Sequence, residues 1–306
     1  MTLHENILGV DVARDWIDTF DLTRGVSRRV PTSELYAFAE SLADVFVVFE
    51  ATGGYERPLM EALARRRIAY ARVNPRQARE FARATGCLAK TDKVDARILA
   101  RMGQALKLRP DMVAEPARKR LSELVLRRDD LVQIITAETQ RLSMARDGYV
   151  QRDIKRMLVS LKARRDAIEK EITAAIEASE DLCAQRKRLC SAPGIGPVAS
   201  AMLLARLPEL GQVDRRAIAS LAGLAPHACD SGHRRGRRHV WGGRASVRRV
   251  LYLAAFVATR HNPELMAMRQ RLQDAGKPAK VAILAAARKL LTILNAMVRK
   301  NQNYAR

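Results

Sequence analysis

The sequence predicts an α/β unit at the front of the chain, followed by a longer region that is almost wholly helical (α/β plus α). Three observations carry this. Short apolar runs alternate with amphipathic stretches from Ile7 to Leu106. Strand-like runs then stop, and apolar residues at heptad spacing take over from Leu121. Aromatic residues are only 5% of the 306 positions, which suits a helix-rich protein better than an all-β one.

Ile7-Leu8-Gly9-Val10-Asp11-Val12 reads as a first strand, apolar but for one carboxylate. Trp16 to Leu22 alternates apolar and polar, the pattern of a half-buried second strand. Gly25 turns the chain, and Val26 to Val30 returns as a third. Pro31-Thr32-Ser33-Glu34 reads as a helix start with a hydroxyl cap at hand. Val45 to Glu50 is apolar until its last residue, so this fourth strand is expected to be covered on both faces. Gly53-Gly54 leads into an amphipathic stretch, Tyr55 to Arg67, and Ile68 to Val73 is a fifth strand. Pro75 opens one more helix and Val94 to Leu106 forms the last. Three hairpin-linked strands followed by β/α units predict a mixed sheet flanked by helices.

Beyond Pro116 the pattern is helical. Leu121, Leu124, Leu131, Ile135 and Leu142 recur with heptad spacing, and so do Ile154, Leu158, Leu161, Ile168, Ile172 and Leu182. Asp147-Gly148 divides them into two long helices. These can pack as a hairpin within one chain or as a coiled coil between chains. The remainder is helical and strongly basic. The expected organisation is therefore residues 1–112, a helical coiled-coil arm over 113–185, and a mainly helical part over 186–306.

Fifty-five Lys and Arg face 33 Asp and Glu, a formal net charge of +22. Hydrophobic residues at 48% provide for packed cores and argue against general disorder. A positive excess of this size points to nucleic acid as the partner. The longest apolar run, Val250 to Ala258, stops at Thr259-Arg260, short of the roughly 20 residues a membrane helix needs. The first residues lack the basic-then-apolar pattern of a secretory signal. A soluble, cytoplasmic protein is expected. Cys87, Cys183, Cys190 and Cys229 form no C-x-x-C pair and join no His cluster, so they are read as reduced and structural.

Two basic segments have a local logic. Ser191 to Pro197 contains Pro193-Gly194-Ile195-Gly196-Pro197 between two helix signals and looks like the helix-hairpin-helix motif of DNA-binding proteins. The backbone N–H groups at Gly194 and Gly196 would be open to a phosphate; a purely structural turn also fits. His227 to Arg249 reads as a loop with Arg234, Arg235, Arg237, Arg238, Arg244, Arg248 and Arg249, opposed only by Asp230. Mixed with glycine, these arginines make a poor helix and a good phosphate clamp; a solvated charge run is the alternative.

Four acids occupy unusual places. Asp11 lies inside the first strand and Glu50 ends the fourth. Asp92 and Asp95 open a helix, three residues apart and so on one face, flanked by Lys90 and Lys93 as nucleic-acid contacts. A carboxylate in an apolar strand is unfavourable unless paired or metal-bound. A three-stranded meander, acids on strands one and four, and acids on the closing helix make the ribonuclease-H-like arrangement. Convergent carboxylates suit Mg²⁺ or Mn²⁺, and two such ions about 3.5–4 Å apart can stabilise both the attacking and the leaving oxygen of a phosphodiester. For Asp92, helix capping is the competing role.

In motif order the chain resembles a transposase of the insertion-sequence one-ten family, whose relatives include site-specific DNA invertases. The residues that carry this are Gly9-Val10-Asp11-Val12-Ala13, Glu50-Ala51-Thr52-Gly53-Gly54-Tyr55, Lys90-Thr91-Asp92-Lys93-Val94-Asp95-Ala96, Pro193-Gly194-Ile195-Gly196 with Leu224-Ala225-Pro226, and Asp230-Ser231-Gly232. The resemblance implies a RuvC-like first domain with the acidic tetrad Asp11, Glu50, Asp92 and Asp95, a coiled-coil insertion, and a C-terminal transposase domain with Ser231 as nucleophile. It further implies DNA partners (element ends and target) and a structured noncoding bridge RNA; the heptad-spaced helices, if paired between chains, would make a homo-oligomer, dimer or tetramer. In the last motif this chain departs from a Ser-Gly-Gly-Lys-like form: Asp230 precedes the serine and Gly232-His233-Arg234 follow it. Two other readings use fewer of these residues: a metal nuclease resembling a junction resolvase, with water as nucleophile, and a non-catalytic nucleic-acid-binding protein.

Overall fold

The computed structural model describes residues 6–87, 92–111, 115–227, 236 and 238–305, without the side chains of 92–94 and 227. It divides into two compact units, Met1–Val113 and Ala114–Arg306.

The first unit is built on strands β1 (Ile7–Val12), β2 (Trp16–Asp21), β3 (Val26–Pro31), β4 (Phe46–Glu50) and β5 (Tyr70–Val73) in the order β3-β2-β1-β4-β5. The first three strands form an antiparallel meander, while β4 joins β1 and β5 joins β4 in parallel. Parallel neighbours need crossover connections. Helices α1 (Leu35–Glu40) and α2 (Arg57–Arg65) supply them. Helices α3 (Pro75–Ala84) and α4 (Asp92–Leu106) complete the unit.

Each face of the sheet has its own core. Leu8, Val10, Val47 and Phe49 pack with Leu35, Phe38, Leu59 and Leu63. Ile7, Phe46 and Val48 pack with Phe20, Ala78, Ala96, Leu99 and Met102 on the other side. This alternation explains why β1 and β4 read as unbroken apolar runs: successive side chains enter different cores. Helix α4 lies in backbone contact with β1. A Cβ on Gly9 would stand 2.0 Å from the Ala96 carbonyl oxygen and 2.5 Å from the Ala100 nitrogen. One on Gly103 would meet Val48 Cγ2 at 2.8 Å and Ile7 Cγ2 at 3.2 Å. Helix α4 therefore runs opposite to β1, with its first turn toward the end of the strand that carries Asp11.

Two local expectations are corrected here. Strand β2 is covered on both faces at Ile17, Asp18, Thr19 and Phe20, because α4 packs across it as well as across β1. The Thr32 hydroxyl does not cap α1; Thr32–Glu34 forms a 3-10 turn, and the hydroxyl donates to the Arg14 carbonyl at 3.1 Å.

The second unit begins with α5 (Pro116–Met144) and α6 (Gly148–Glu177), which pack on each other as a hairpin within the chain. At about 1.5 Å per residue each is more than 40 Å long. The Asp147 carboxylate accepts from the N–H groups of Tyr149 and Val150 and so starts α6. Arg128 reaches Glu169 across the hairpin at 2.8 Å. Next come α7 (Glu180–Cys190), α8 (Pro197–Arg206), α9 (Arg215–Leu221), a two-stranded ribbon of β6 (Pro226–His227) and β7 (His239–Val240), and α10 (Ala245–His261), α11 (Pro263–Asp274) and α12 (Ala279–Lys300). One core joins the hairpin base (Leu121, Val125, Ile172 and Ile176) to Leu182, Leu203, Leu251 and Leu290.

The ribbon and the first turn of α10 take up the two ends of the loop expected over His227 to Arg249, of which 228–235 and 237 lie outside the described residues. Arg248 and Arg249 are helical, and Arg244 sits at the cap position of α10. Helix α12 is more apolar over its length than the run Val250 to Ala258 suggests for this chain. It is long and apolar enough to cross a membrane, but Ile283, Ala286, Ala287, Leu290, Leu291 and Leu294 are buried in the unit's core.

Candidate active site

The register of the first sheet aligns charged residues in one row. Asp11 stands opposite Asp18 of β2, and Asp18 opposite Arg29 of β3. On the other side Val10 pairs with Phe49, so the next residues along the two parallel strands are Asp11 and Glu50. Side chains two residues apart share a face. Gly9 faces α4, hence Asp11 does too; Val48 faces α4, hence so does Glu50. Helix α4 starts at Asp92, carries Asp95 in its first turn, and sets Ala96 over Gly9. Asp11, Glu50 and Asp95 are all half-buried. Acids from three separate segments thus share one face at the C-terminal ends of β1 and β4.

The side chains of Asp92 and Lys93 and the whole of Lys90 lie outside the described residues. Among the described residues, no three His, Cys, Asp or Glu side chains come within metal-binding reach of one another. The donor set is nonetheless all carboxylate, the chemistry that hard divalent cations select.

The structure adds three residues to this region. Asp18 is only 4% exposed, and its carboxylate accepts from Arg29 Nε at 3.0 Å and Nη2 at 2.8 Å. The same guanidinium lies 4.7 Å from the centre of the Trp16 ring. In the sequence, alternation along β2 makes Asp18 look solvent-facing, so nothing local points to it. Glu56 is buried beneath the turn that follows Glu50 and accepts from Thr52 N–H, Thr52 Oγ1 at 2.9 Å and Gly54 N–H at 2.8 Å. Burial pushes its pKa up, but the hydrogen bonds outweigh this and hold it below the ordinary carboxylate value. Gly53 and Gly54 take positive φ (76° and 128°) in this turn, which a side chain would strain.

In the second unit, α7 and α8 are joined by a short turn through Pro193 and Gly196. Gly194 serves packing: a Cβ there would lie 2.3 Å from the Ala254 carbonyl oxygen. Gly196 caps α8 and has nothing within 4 Å of such a Cβ, so backbone approach is open there. Arg244 makes a two-point ion pair with Glu209, both contacts at 2.6 Å, an acid 35 residues upstream that the segment's own charge balance does not reveal. Arg248 donates to the Gly242 carbonyl at 2.7 Å and the Gly223 carbonyl at 3.3 Å. Both arginines hold the base of the segment in place. Arg238 is exposed. Ser231, Arg234, Arg235 and Arg237 lie outside the described residues, as do Cys229, Asp230 and His233.

Comparison with known proteins covers both units. Residues 21–150 match the IS110-type DEDD model, described as a transposase, and residues 186–270 match a model described as the transposase IS116/IS110/IS902 family. A pilin gene-inverting protein of Moraxella lacunata is 26% identical over 99% of this chain and 98% of its own length. Its counterpart in Moraxella bovis is 25% identical over the same shares. An uncharacterized 43.6 kDa protein of insertion element IS110 from Streptomyces coelicolor is 31% identical over 48% of this chain and 36% of its own.

Proposed function

Because the chain belongs to the IS110 family of transposases, DNA-cleaving recombinases, we propose that it cuts and rejoins DNA through a carboxylate site in a RuvC-like first unit and a serine–DNA covalent intermediate. The observation that carries the acid site is the row Asp11–Glu50 beneath the first turn of α4. Asp11, Glu50, Asp92 and Asp95 are the residues that would hold Mg²⁺ or Mn²⁺, which when bound supplies Lewis-acid polarisation of a phosphoryl oxygen. Glu56 ties down the turn after Glu50 and limits where that carboxylate can swing.

Ser231 is the nucleophile in this reading. Its Oγ forms a bond to phosphorus, the bond from phosphorus to one deoxyribose oxygen breaks, and the serine proton passes to that oxygen. The phosphodiester's energy is kept in the serine ester, so the reverse attack by another strand's hydroxyl reseals DNA without ATP. Arg234, Arg235, Arg237 and Arg238, with the open backbone at Gly196, are proposed to bind phosphates and offset the charge that develops in the transition state. Lys90 and Lys93 would do the same beside the acids. Arg244 and Arg248, through Glu209, Gly223 and Gly242, anchor this segment.

The Moraxella relatives are named for inverting a gene. Similarity to them over the full length supports a reaction that rejoins every strand it cuts. We also assign a structured RNA as the guide that reads the target by base pairing, and a homo-oligomer as the active form.

One experiment separates the roles. Full-length protein is incubated with Mg²⁺, its copurified nucleic acid and labelled DNA, and covalent adducts are read on a denaturing gel. Ser231→Ala should lose the adduct and keep DNA binding; an adduct that persists removes the serine from the mechanism. Asp11→Asn should abolish strand transfer while the fold is retained, and full activity there removes the acid site. Cleavage by the parent protein with no adduct would make the enzyme a metal nuclease with water as nucleophile. Sequencing of the copurified nucleic acid should give one discrete structured RNA.

A further inference from the structure

Helices α9, α11 and α12 enclose a cleft of about 450 Å³ lined by Arg215, Arg216, Met268, Ala285, Arg288, Lys289 and Thr292. We infer that this cleft is a further nucleic-acid site, which grips the sugar–phosphate backbone with residues other than those of the Arg/Gly segment. The inference rests on the reading of the chain as a recombinase and adds a contact surface to it.

Charge is the first argument. Helix α12 carries Lys280, Arg288, Lys289, Arg299 and Lys300 and no Asp or Glu, and α9 opens with two arginines and holds no acid. The acids beside the cleft account for only part of this. Glu264 pairs with Lys289 at 2.9 Å, and Asp214, which caps α9, lies close enough to feel the charge of Arg216. Arg215 and Arg288 have no carboxylate partner among the described residues. In a protein of net charge +22, cations gathered in a concave surface focus a positive field that draws in a polyanion.

The lining also discriminates between ligands. A cage for a small anion would surround it with donors, whereas here Met268 and Ala285 add apolar surface to the lining. The apolar part of such a lining suits a sugar, and the cations suit its phosphates. Arg288 lies one turn from Thr292 on α12, and Arg215 and Arg216 approach from a different element. Cations contributed by two elements to one lining fit a ligand with several phosphates better than a single ion.

The test is salt-dependent binding of the full-length protein to two probes, a random-sequence duplex DNA and a structured RNA, by fluorescence anisotropy. Each duplex phosphate contact contributes about 0.9 to the slope of log K against log salt, and each single-strand contact about 0.7. Arg215→Ala/Arg288→Ala should flatten the duplex slope by about 1.8, so between 50 and 200 mM salt the parent loses about tenfold more affinity than the variant. Flattening with one probe alone identifies whether DNA or RNA occupies the cleft. Arg215→Lys/Arg288→Lys should restore the slope, which a lesion of the fold would not allow. Slopes unchanged for both probes overturn the inference. So does loss of polyglutamate binding with unchanged nucleic-acid slopes, which would give the cleft to an acidic protein. A flattened slope in a protein that forms no covalent adduct would sink the catalytic reading and leave this cleft standing.

Discussion

Asp18 brings a second carboxylate, this one buried, onto the sheet face that carries Asp11, directly across from it. Opposed residues in an antiparallel pair hold their Cβ atoms about 4.5–5.5 Å apart, near enough for two carboxylates to repel each other appreciably. The two-point contact from Arg29 offsets this by satisfying both oxygens of Asp18 at once. Removal of the partner is worse than removal of the pair, because it leaves a buried charge unmatched. Arg29 is half exposed, so water can replace part of the contact and the loss falls below that of a fully enclosed pair. Arg29→Ala should therefore lower stability by about 2 kcal/mol, and Asp18→Asn added to it should recover roughly half. Urea unfolding of the single and double variants measures both numbers. A double variant no more stable than Arg29→Ala would mean that Arg29 acts by packing on Trp16 and not by pairing with Asp18.

Helix α4 reaches the acids because two glycines let it sit against the sheet. Gly9→Ala would drive a methyl into the Ala96 and Ala100 backbone, which no rotamer change can relieve. Gly103→Ala would meet only the γ-methyls of Val48 and Ile7. Overpacking costs about 1–3 kcal/mol where neighbours can adjust, and more where they cannot. Gly9→Ala should thus cost at least 3 kcal/mol, and strand transfer with it, by shifting the first turns of α4 off β1. Gly103→Ala should cost about 1–2 kcal/mol and be rescued by Val48→Ala; denaturation curves that rank the two variants the other way refute this placement of α4. The contrast also marks what the sequence could carry. Strands β1 and β4, the acids at their ends and the long helices α5 and α6 were legible, since apolar period and strand order are local signals. The depth of α4 was not, because Gly9 inside a strand reads as a weak strand former until the helix above it is known. Strands β6 and β7, two residues each, are too short to show a period. The Arg244–Glu209 and Asp18–Arg29 pairs link residues 35 and 11 positions apart, and no local pattern encodes them.

Contacts within the chain gather Ala114–Arg306, the two long helices included, into one compact unit. The reason is that the two long helices are apolar on more than the seam between them. Leu121, Val125, Ile172 and Ile176 turn into the core built by α7, α8, α10 and α12, and Arg118 Nη1 donates to the Leu204 carbonyl at 2.6 Å. Full burial of one such side chain contributes about 1.5–3 kcal/mol, so these four together supply roughly 6–12 kcal/mol. That is comparable with the whole stability of an ordinary domain, about 5–15 kcal/mol. A fragment of residues 186–306 should consequently not fold: it should keep much of its helix by far-ultraviolet circular dichroism yet melt without a cooperative transition and bind a hydrophobic dye. A fragment of residues 114–306 should melt in a single transition. Residues 1–113, with two cores of their own about one sheet, should do the same in isolation. A cooperative 186–306 fragment would instead make the hairpin an appendage. Where the hairpin base is part of the C-terminal core, a load on the distal hairpin is transmitted to α8, whose N-terminus at Gly196 is one of the proposed phosphate contacts. Coupling between the arm and nucleic-acid binding then follows from packing alone.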